Sequence, residues 1–133
     1  MKTTQELITT EQAQRLGPAG LKAFFRLAEL WDLDVPEQMT LLGQPKRSTF
    51  FEWKKNPNRE LQVDTVERLS YLIGIYKALQ ILFPDPTIAD GWVRRPGHAP
   101  PFGGKSPLAF MLRGDMAALY EVRRYLDSNR GAW

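Results

Sequence analysis

The 133-residue sequence predicts an all-α protein. Three observations carry that expectation. Apolar residues recur at three- and four-residue spacing along most of the chain, and no stretch alternates with the two-residue period of a strand. Pro18, Pro36 and Pro107 stand at the starts of such runs, while Gly43 and Gly114 stand just past their ends, which is the proline–glycine asymmetry of helix termini. Hydrophobic residues make up 43% and charged residues 25% of the chain, an ordinary globular balance at a length that buries a substantial core.

Taken in order, the first helix is expected from Pro18 to Leu33, with Leu21, Phe24, Phe25, Leu27, Ala28, Leu30 and Trp31 as its apolar stripe. A short helix follows, opened by Val35-Pro36 and closed by Gly43, with Met39 and Leu42 inward. After "QPKR" comes "STFFEWKK", broken by "NPN". The longest helix is expected near Asp64, with Asp64 and Glu67 as a capping box. Its broad apolar face runs from Val66 through Leu69, Leu72, Ile73, Tyr76, Leu79 and Ile81 to Leu82, and "FPDP" ends it. "TIADGW" predicts a short helix and "RRPGHAPPFGGK" a loop. Ser106 and Pro107 are an N-cap and first-turn pair for "LAFMLR". Asp115 caps the last helix, whose inward stripe is Met116, Leu119, Val122 and Leu126. Phe24, Trp31, Leu69 and Tyr76 should pack together.

The chain has no cysteine, which excludes disulfides and thiolate metal sites. Its first residues lack the apolar core of a signal peptide, and no run approaches the roughly 20 apolar residues of a membrane span. A cytoplasmic protein without membrane attachment is therefore expected. Charge is unevenly placed. Residues 44–59 hold Lys46, Arg47, Lys54, Lys55 and Arg59 against Glu52 alone. Residues 92–133 hold Arg94, Arg95, Lys105, Arg113, Arg123, Arg124 and Arg130 against Asp115, Glu121 and Asp127. Such basic islands attract phosphate backbones or acidic proteins.

Catalysis finds little support. The single histidine, His98, lies in a proline- and glycine-rich loop without an acid/base partner, and no phosphate-loop, nucleophile-elbow or zinc-protease motif is present. "FGGK" reads as a turn. Arg113-Gly114-Asp115 is explained by helix punctuation rather than as an adhesion tripeptide. The expectation is a non-enzyme that needs no metal, cofactor or small-molecule substrate.

Residues 36–55, "PEQMTLLGQPKRSTFFEWKK", read as a helix-turn-helix. Met39, Leu42 and Phe50 or Trp53 would lock the two helices, and Gly43 would permit the turn. Lys46, Arg47, Ser48 and Thr49 would then stand at the start of a recognition helix, within reach of phosphates or base edges. Lys54, Lys55 and Arg59 would touch the DNA backbone.

With that segment followed by "ADGWVRRP" and "FGGKSPLAFMLRGDMAALYEVRRYL", the chain resembles the Xre/MbcA/ParS-type antitoxins over residues 18–133. The residues that carry the resemblance are Ala89, Trp92, Pro107, Leu108, Gly114, Asp115, Val122 and Leu126. One departure is that ten residues separate Gly43 from Trp53, where the commonest helix-turn-helix spacing looks like nine.

The resemblance implies an Xre-like helix-turn-helix and dimerisation domain at 18–85 and a small helical toxin-binding domain at 86–133, preceded by a flexible segment at 1–17. It implies an antitoxin that occludes the active site of a RES-domain toxin, a NAD-consuming or ADP-ribosyl-transferring enzyme, and that represses its own operon as a homodimer bound to operator DNA. On this reading Arg123, Arg124, Asn129, Arg130 and Trp133 contact the toxin. Arginine suits a cleft shaped for a dinucleotide, and tryptophan is a common interface anchor. The alternative is a stand-alone helix-turn-helix transcription regulator in which residues 86–133 serve dimerisation.

Overall fold

A computed structural model describes the backbone over residues 10–130 and the side chains over residues 19–129. Seven α-helices follow one another within this stretch: α1 (Thr10–Leu30), α2 (Val35–Leu41), α3 (Arg47–Lys55), α4 (Val63–Leu82), α5 (Pro86–Gly91), α6 (Pro107–Met111) and α7 (Met116–Arg130). A 3₁₀ turn at Trp92–Arg94 continues α5, and the described residues contain no strand.

The fold is organised around α4. Helix α1 packs along one side of it and α7 along another, so α4 is apolar around most of its circumference rather than on one stripe. Val66, Leu69, Leu72, Ile75 and Leu79 are fully buried there. Ile81, expected on the same apolar face, is instead 61% exposed near the end of α4, beyond the packing of its neighbours. From α1 come Leu21 and Phe24, from the turn after it Trp31, from α2 Leu41, from α3 Phe50, and from α7 Leu119, Val122 and Leu126. Burying each such side chain stabilises the fold by roughly 1.5–3 kcal/mol. Phe24, Trp31 and Leu69 share this core as expected, and Tyr76 packs against it half-buried. A second aromatic group closes the far end, where Phe102 meets Trp92, Phe110 and Tyr125 at centroid distances of 6.0, 5.9 and 5.0 Å.

Helix ends explain where the structure departs from the sequence reading. The backbone is helical from Thr10, so Pro18 lies inside α1 rather than at its start. A proline removes only one backbone bond, here to the Gln14 carbonyl, and the buried turns that follow hold the helix beyond it. The capping box is also elsewhere. The Asp34 carboxylate accepts from the Glu37 amide at 2.8 Å and the Glu37 carboxylate from the Asp34 amide at 2.9 Å, at the start of α2. Helix α4 instead begins after Gln62, and Asp64, already inside its first turn, turns outward to pair with Arg68 at 3.3 Å. At α6 the Ser106 hydroxyl accepts from the Ala109 amide at 3.0 Å, as the Ser-Pro pair predicts.

Two arginines fasten the last third of the chain to the rest. Arg94 donates from Nε to the Trp31 carbonyl at 3.0 Å and from Nη2 to the Asp32 carbonyl at 2.6 Å, closing the end of α1. Asp32 holds a left-handed φ of 55° there, a conformation that disfavours a non-glycine residue. Arg68 of α4 donates to the Gly114 carbonyl at 2.9 Å while its guanidinium lies against Gly43. Gly43 has φ 92°, and a Cβ there would stand 2.9 Å from Arg68 Nε, so both the turn and the close approach require glycine.

Candidate functional site

Two surfaces collect the residues singled out from the sequence. The first is the exposed face of α3. Helix α2 ends in a Schellman closure, with the Gly43 amide donating to the Thr40 carbonyl at 3.1 Å and the Gln44 amide to the Met39 carbonyl at 2.8 Å. The chain then turns through Gly43 and Gln44, both left-handed, and α3 starts at Arg47. Phe50 and Leu42 are buried between the helices, while Met39 and Trp53 are half-buried. The expected helix-turn-helix lock is therefore made chiefly by Leu42 and Phe50.

Lys46, Arg47 and Ser48 are exposed at the start of α3, and Lys54 and Lys55 are exposed at its end. Thr49 is half-buried and lines a groove of about 450 Å³ with Trp53 and Gln62. Lys46, the N-cap, makes no side-chain cap, so the first amides of α3 keep their partial positive charge toward solvent. Arg59 is less available. It pairs with Glu52 at 3.5 Å and donates from Nε to the Asn56 carbonyl at 2.9 Å. The Arg47 guanidinium stands 5.1 Å above the ring of Phe51, an exposed aromatic that the sequence reading passed over.

The second surface is an open groove of about 680 Å³ between α4 and α7. Tyr71 and Lys77 line it from α4, and Tyr120, Arg123, Arg124 and Asp127 from α7. Arg123 donates from Nε to Asp127 at 3.0 Å, and its guanidinium lies so close over α4 that a Cβ on Gly74 would overlap Nη1 at 1.9 Å. That approach accounts for a glycine inside a long helix, where it is otherwise destabilising by roughly 1 kcal/mol. Tyr71 and Tyr120 meet edge to face at 6.1 Å. Burial, with Glu67 and Tyr120 adding to it, pushes the Tyr71 hydroxyl above its ordinary pKa.

Of the residues expected to meet a toxin, Arg123 and Arg124 thus lie in this groove, the first half-buried and the second exposed. Asn129 donates its side-chain amide to the Tyr125 carbonyl at 2.7 Å, one turn back on its own helix. The Arg130 side chain and Trp133 lie outside the described residues. Lys77 and Tyr120 were not legible as groove residues, because only the packing of α7 on α4 brings them together. Gly74 was the one local signal, a glycine where a helix would favour alanine.

The loop at 96–105 places His98 at the surface, and "FGGK" is the expected turn, with Gly103 and Gly104 at positive φ. Arg113 and Asp115 pair with each other through two bonds of 3.0 and 2.8 Å rather than presenting a free tripeptide. No group of acidic residues and histidine among the described residues could hold a metal ion, and no helix there is long and apolar enough to cross a membrane.

Comparison with known proteins finds two matches that meet within α4. Residues 10–74, containing α1 to α3 and the first half of α4, match the antitoxin Xre-like helix-turn-helix domain. Residues 78–131, containing α5 to α7, match the antitoxin Xre/MbcA/ParS C-terminal toxin-binding domain. The chain is also 52% identical over 114 residues to the uncharacterized protein y4oB of Sinorhizobium fredii (strain NBRC 101917 / NGR234), an alignment covering 86% of each. With a helix-turn-helix and a toxin-binding domain side by side on one helical core, the chain belongs to the Xre/MbcA/ParS family of antitoxins.

Proposed function

We propose that this chain neutralises a RES-type toxin by covering its active-site cleft, and that it represses its own operon by binding operator DNA through α3 as a homodimer. The observation that carries the toxin half is the groove between α4 and α7, which presents Lys77, Tyr120 and Arg124 outward, the last two within the matched toxin-binding region. An enzyme that handles a dinucleotide keeps groups that hold phosphates and a ring, and arginine with aromatic side chains complements such a cleft. The resemblance of Ala89, Trp92, Pro107, Leu108, Gly114, Asp115, Val122 and Leu126 to the family pattern supports the RES assignment. In this reading the chain acts in the cytoplasm by binding alone, without turnover, cofactor or metal. Arg123, Arg124, Asn129, Arg130 and Trp133 form the toxin contact, with Trp133 as the anchor.

The test separates folding from neutralisation. A variant lacking residues 129–133 should melt near the wild-type temperature, because Leu126 is the last buried apolar residue of α7 among the described residues. It should still bind promoter DNA and lose protection of cells that express the adjacent toxin, since an interface anchor can carry several kcal/mol. Full protection by the truncated protein would exclude the tail as the plug. Failure of the full-length chain to co-purify with the product of a neighbouring RES-domain gene would exclude the antitoxin–RES pairing itself.

A further inference from the structure

We infer that Phe51 is a base-reading residue of α3, contacting the 5-methyl group of thymine in the DNA major groove. The inference rests on the reading that α3 enters DNA and names what its apolar centre recognises.

Arg47, Phe51 and Lys55 are four residues apart, so they form one stripe along α3. All three are exposed, Phe51 at 39%. The ring is held from below. It meets Phe50 edge to face at 5.2 Å, Phe50 is fully buried, and Phe50 in turn meets Phe25 at 5.8 Å. Arg47 lies over the ring at 5.1 Å. Phe51 is therefore a fixed apolar platform facing outward, with a guanidinium laid along it.

Its surroundings decide the partner. An apolar protein contact favours a patch whose centre is depleted of charge. Here the ring is flanked by Arg47, Lys54 and Lys55, and the single acidic residue of α3, Glu52, is paired with Arg59 at 3.5 Å. That charge complements phosphates. Inside a major groove, the apolar feature open to a phenylalanine is the thymine methyl, while an arginine beside it reaches guanine or a phosphate.

The experiment uses the full-length protein and a duplex covering the DNA upstream of its gene, prepared once with thymine and once with deoxyuridine at every thymine. The wild type should bind the thymine duplex about four- to fifteenfold tighter, the worth of one or two buried methyl groups. Phe51→Ala should bind both duplexes equally, near the wild-type affinity for the deoxyuridine form, with an unchanged salt slope. Phe51→Leu, which keeps an apolar surface and guards against a folding defect, should retain part of the preference. Arg47→Ala should keep the methyl preference while its salt slope falls by about one. Indifference of the wild type to the methyl, or an undiminished preference in Phe51→Ala, overturns the assignment and leaves DNA binding standing. Loss of toxin co-purification in Phe51→Ala with intact promoter affinity assigns the ring to a protein contact and also overturns it. If the wild type binds neither duplex in a salt-dependent manner, the DNA reading of α3 falls and this assignment with it.

Discussion

The two basic islands of this chain look alike in sequence and are used differently in the fold. In residues 44–59 the charges stay outside. Lys46, Arg47, Lys54 and Lys55 are all exposed on α3, and only Arg59 is drawn into an ion pair, with Glu52. In residues 92–133 half of the six described basic side chains are tied to the fold. Arg94 closes α1, Arg113 clasps Asp115, and Arg123 lies between Asp127 and the backbone at Gly74. Arg95, Lys105 and Arg124 are left exposed, the last on the rim of the groove. Net charge therefore marks a partner surface only where the fold leaves the cations unspent. The first island has the character of a polyanion surface, and the second divides its described cations between scaffolding and scattered exposed positions.

The strongest way to break both islands together is to disturb what they share. Leu69 is fully buried on α4, between the packing of α1 and α7. Leu69→Ala should cost roughly 2–5 kcal/mol, the range for large-to-small changes in a packed core. Chemical denaturation should show it as a lowered midpoint with the slope nearly unchanged. A midpoint equal to that of the wild type would mean that α4 is not the common support.

Next in size is Arg94→Ala. It removes two charge-assisted hydrogen bonds to the end of α1 and leaves Asp32 in its left-handed conformation unsupported. Such bonds are worth roughly 1.5–3 kcal/mol, and with the side chain 44% exposed a loss of about 1–2 kcal/mol is expected. Equilibrium unfolding in urea measures it. A change within error would place Arg94 with the surface charges and weaken the contrast between the islands.

These arginines also show where sequence reading stops. The periodicity of α4 and α7, the Ser106 cap and the Gly43 turn were legible because each depends on residues within one or two turns of one another. So was the exposed start of α3, which follows from an apolar stripe ending at Phe50. The start of α1 was misplaced because Pro18 carries a local signal that the packing of the later turns overrides. The capping box was assigned to Asp64 when Asp34 satisfies it, because both positions have a glutamate three residues on. The bond from Arg94 to Trp31 joins positions 63 residues apart and the one from Arg68 to Gly114 joins positions 46 apart, so no local pattern announces them. The groove between α4 and α7 is of the same kind, being made by two helices whose packing the sequence does not state.

A smaller effect is expected with pH. The Arg113 guanidinium, bonded to Asp115 through both oxygens, and to a lesser degree the Ala118 amide, hold the Asp115 carboxyl below the usual carboxylate range. A folded-state pKa below the unfolded value stabilises the fold at pH values above the unfolded one, and that contribution is lost as pH falls through the folded one. Thermal stability should therefore decline below about pH 4. Asp115→Asn should flatten that part of the acid limb, which a series of melts at stepped pH would show. An unchanged acid limb would mean that the pair contributes nothing at the start of α7.

The smallest effect on stability, and the sharpest test of the comparison, belongs to the double variant Lys46→Ala, Arg47→Ala. Neither residue makes an ion pair among the described residues, and both are exposed where α3 begins. Surface changes of this kind shift stability by no more than about 0.5 kcal/mol. Arg47 does rest on Phe51, but an exposed cation–aromatic contact is worth only about 0.5–1 kcal/mol, partly offset by the higher helix propensity of alanine at position 47. If these cations are kept free for phosphates, their loss should appear elsewhere. Promoter affinity should fall, and the slope of log K against log salt should become shallower by about two, one for each contact removed. Protection against the toxin should persist, because the proposed toxin surface is formed by α4 and α7. Arg94→Ala should show the opposite pattern, with lowered stability and a salt slope like that of the wild type. An equal loss of stability in both variants, or a promoter slope unaltered by the double change, would show that the two islands are used alike.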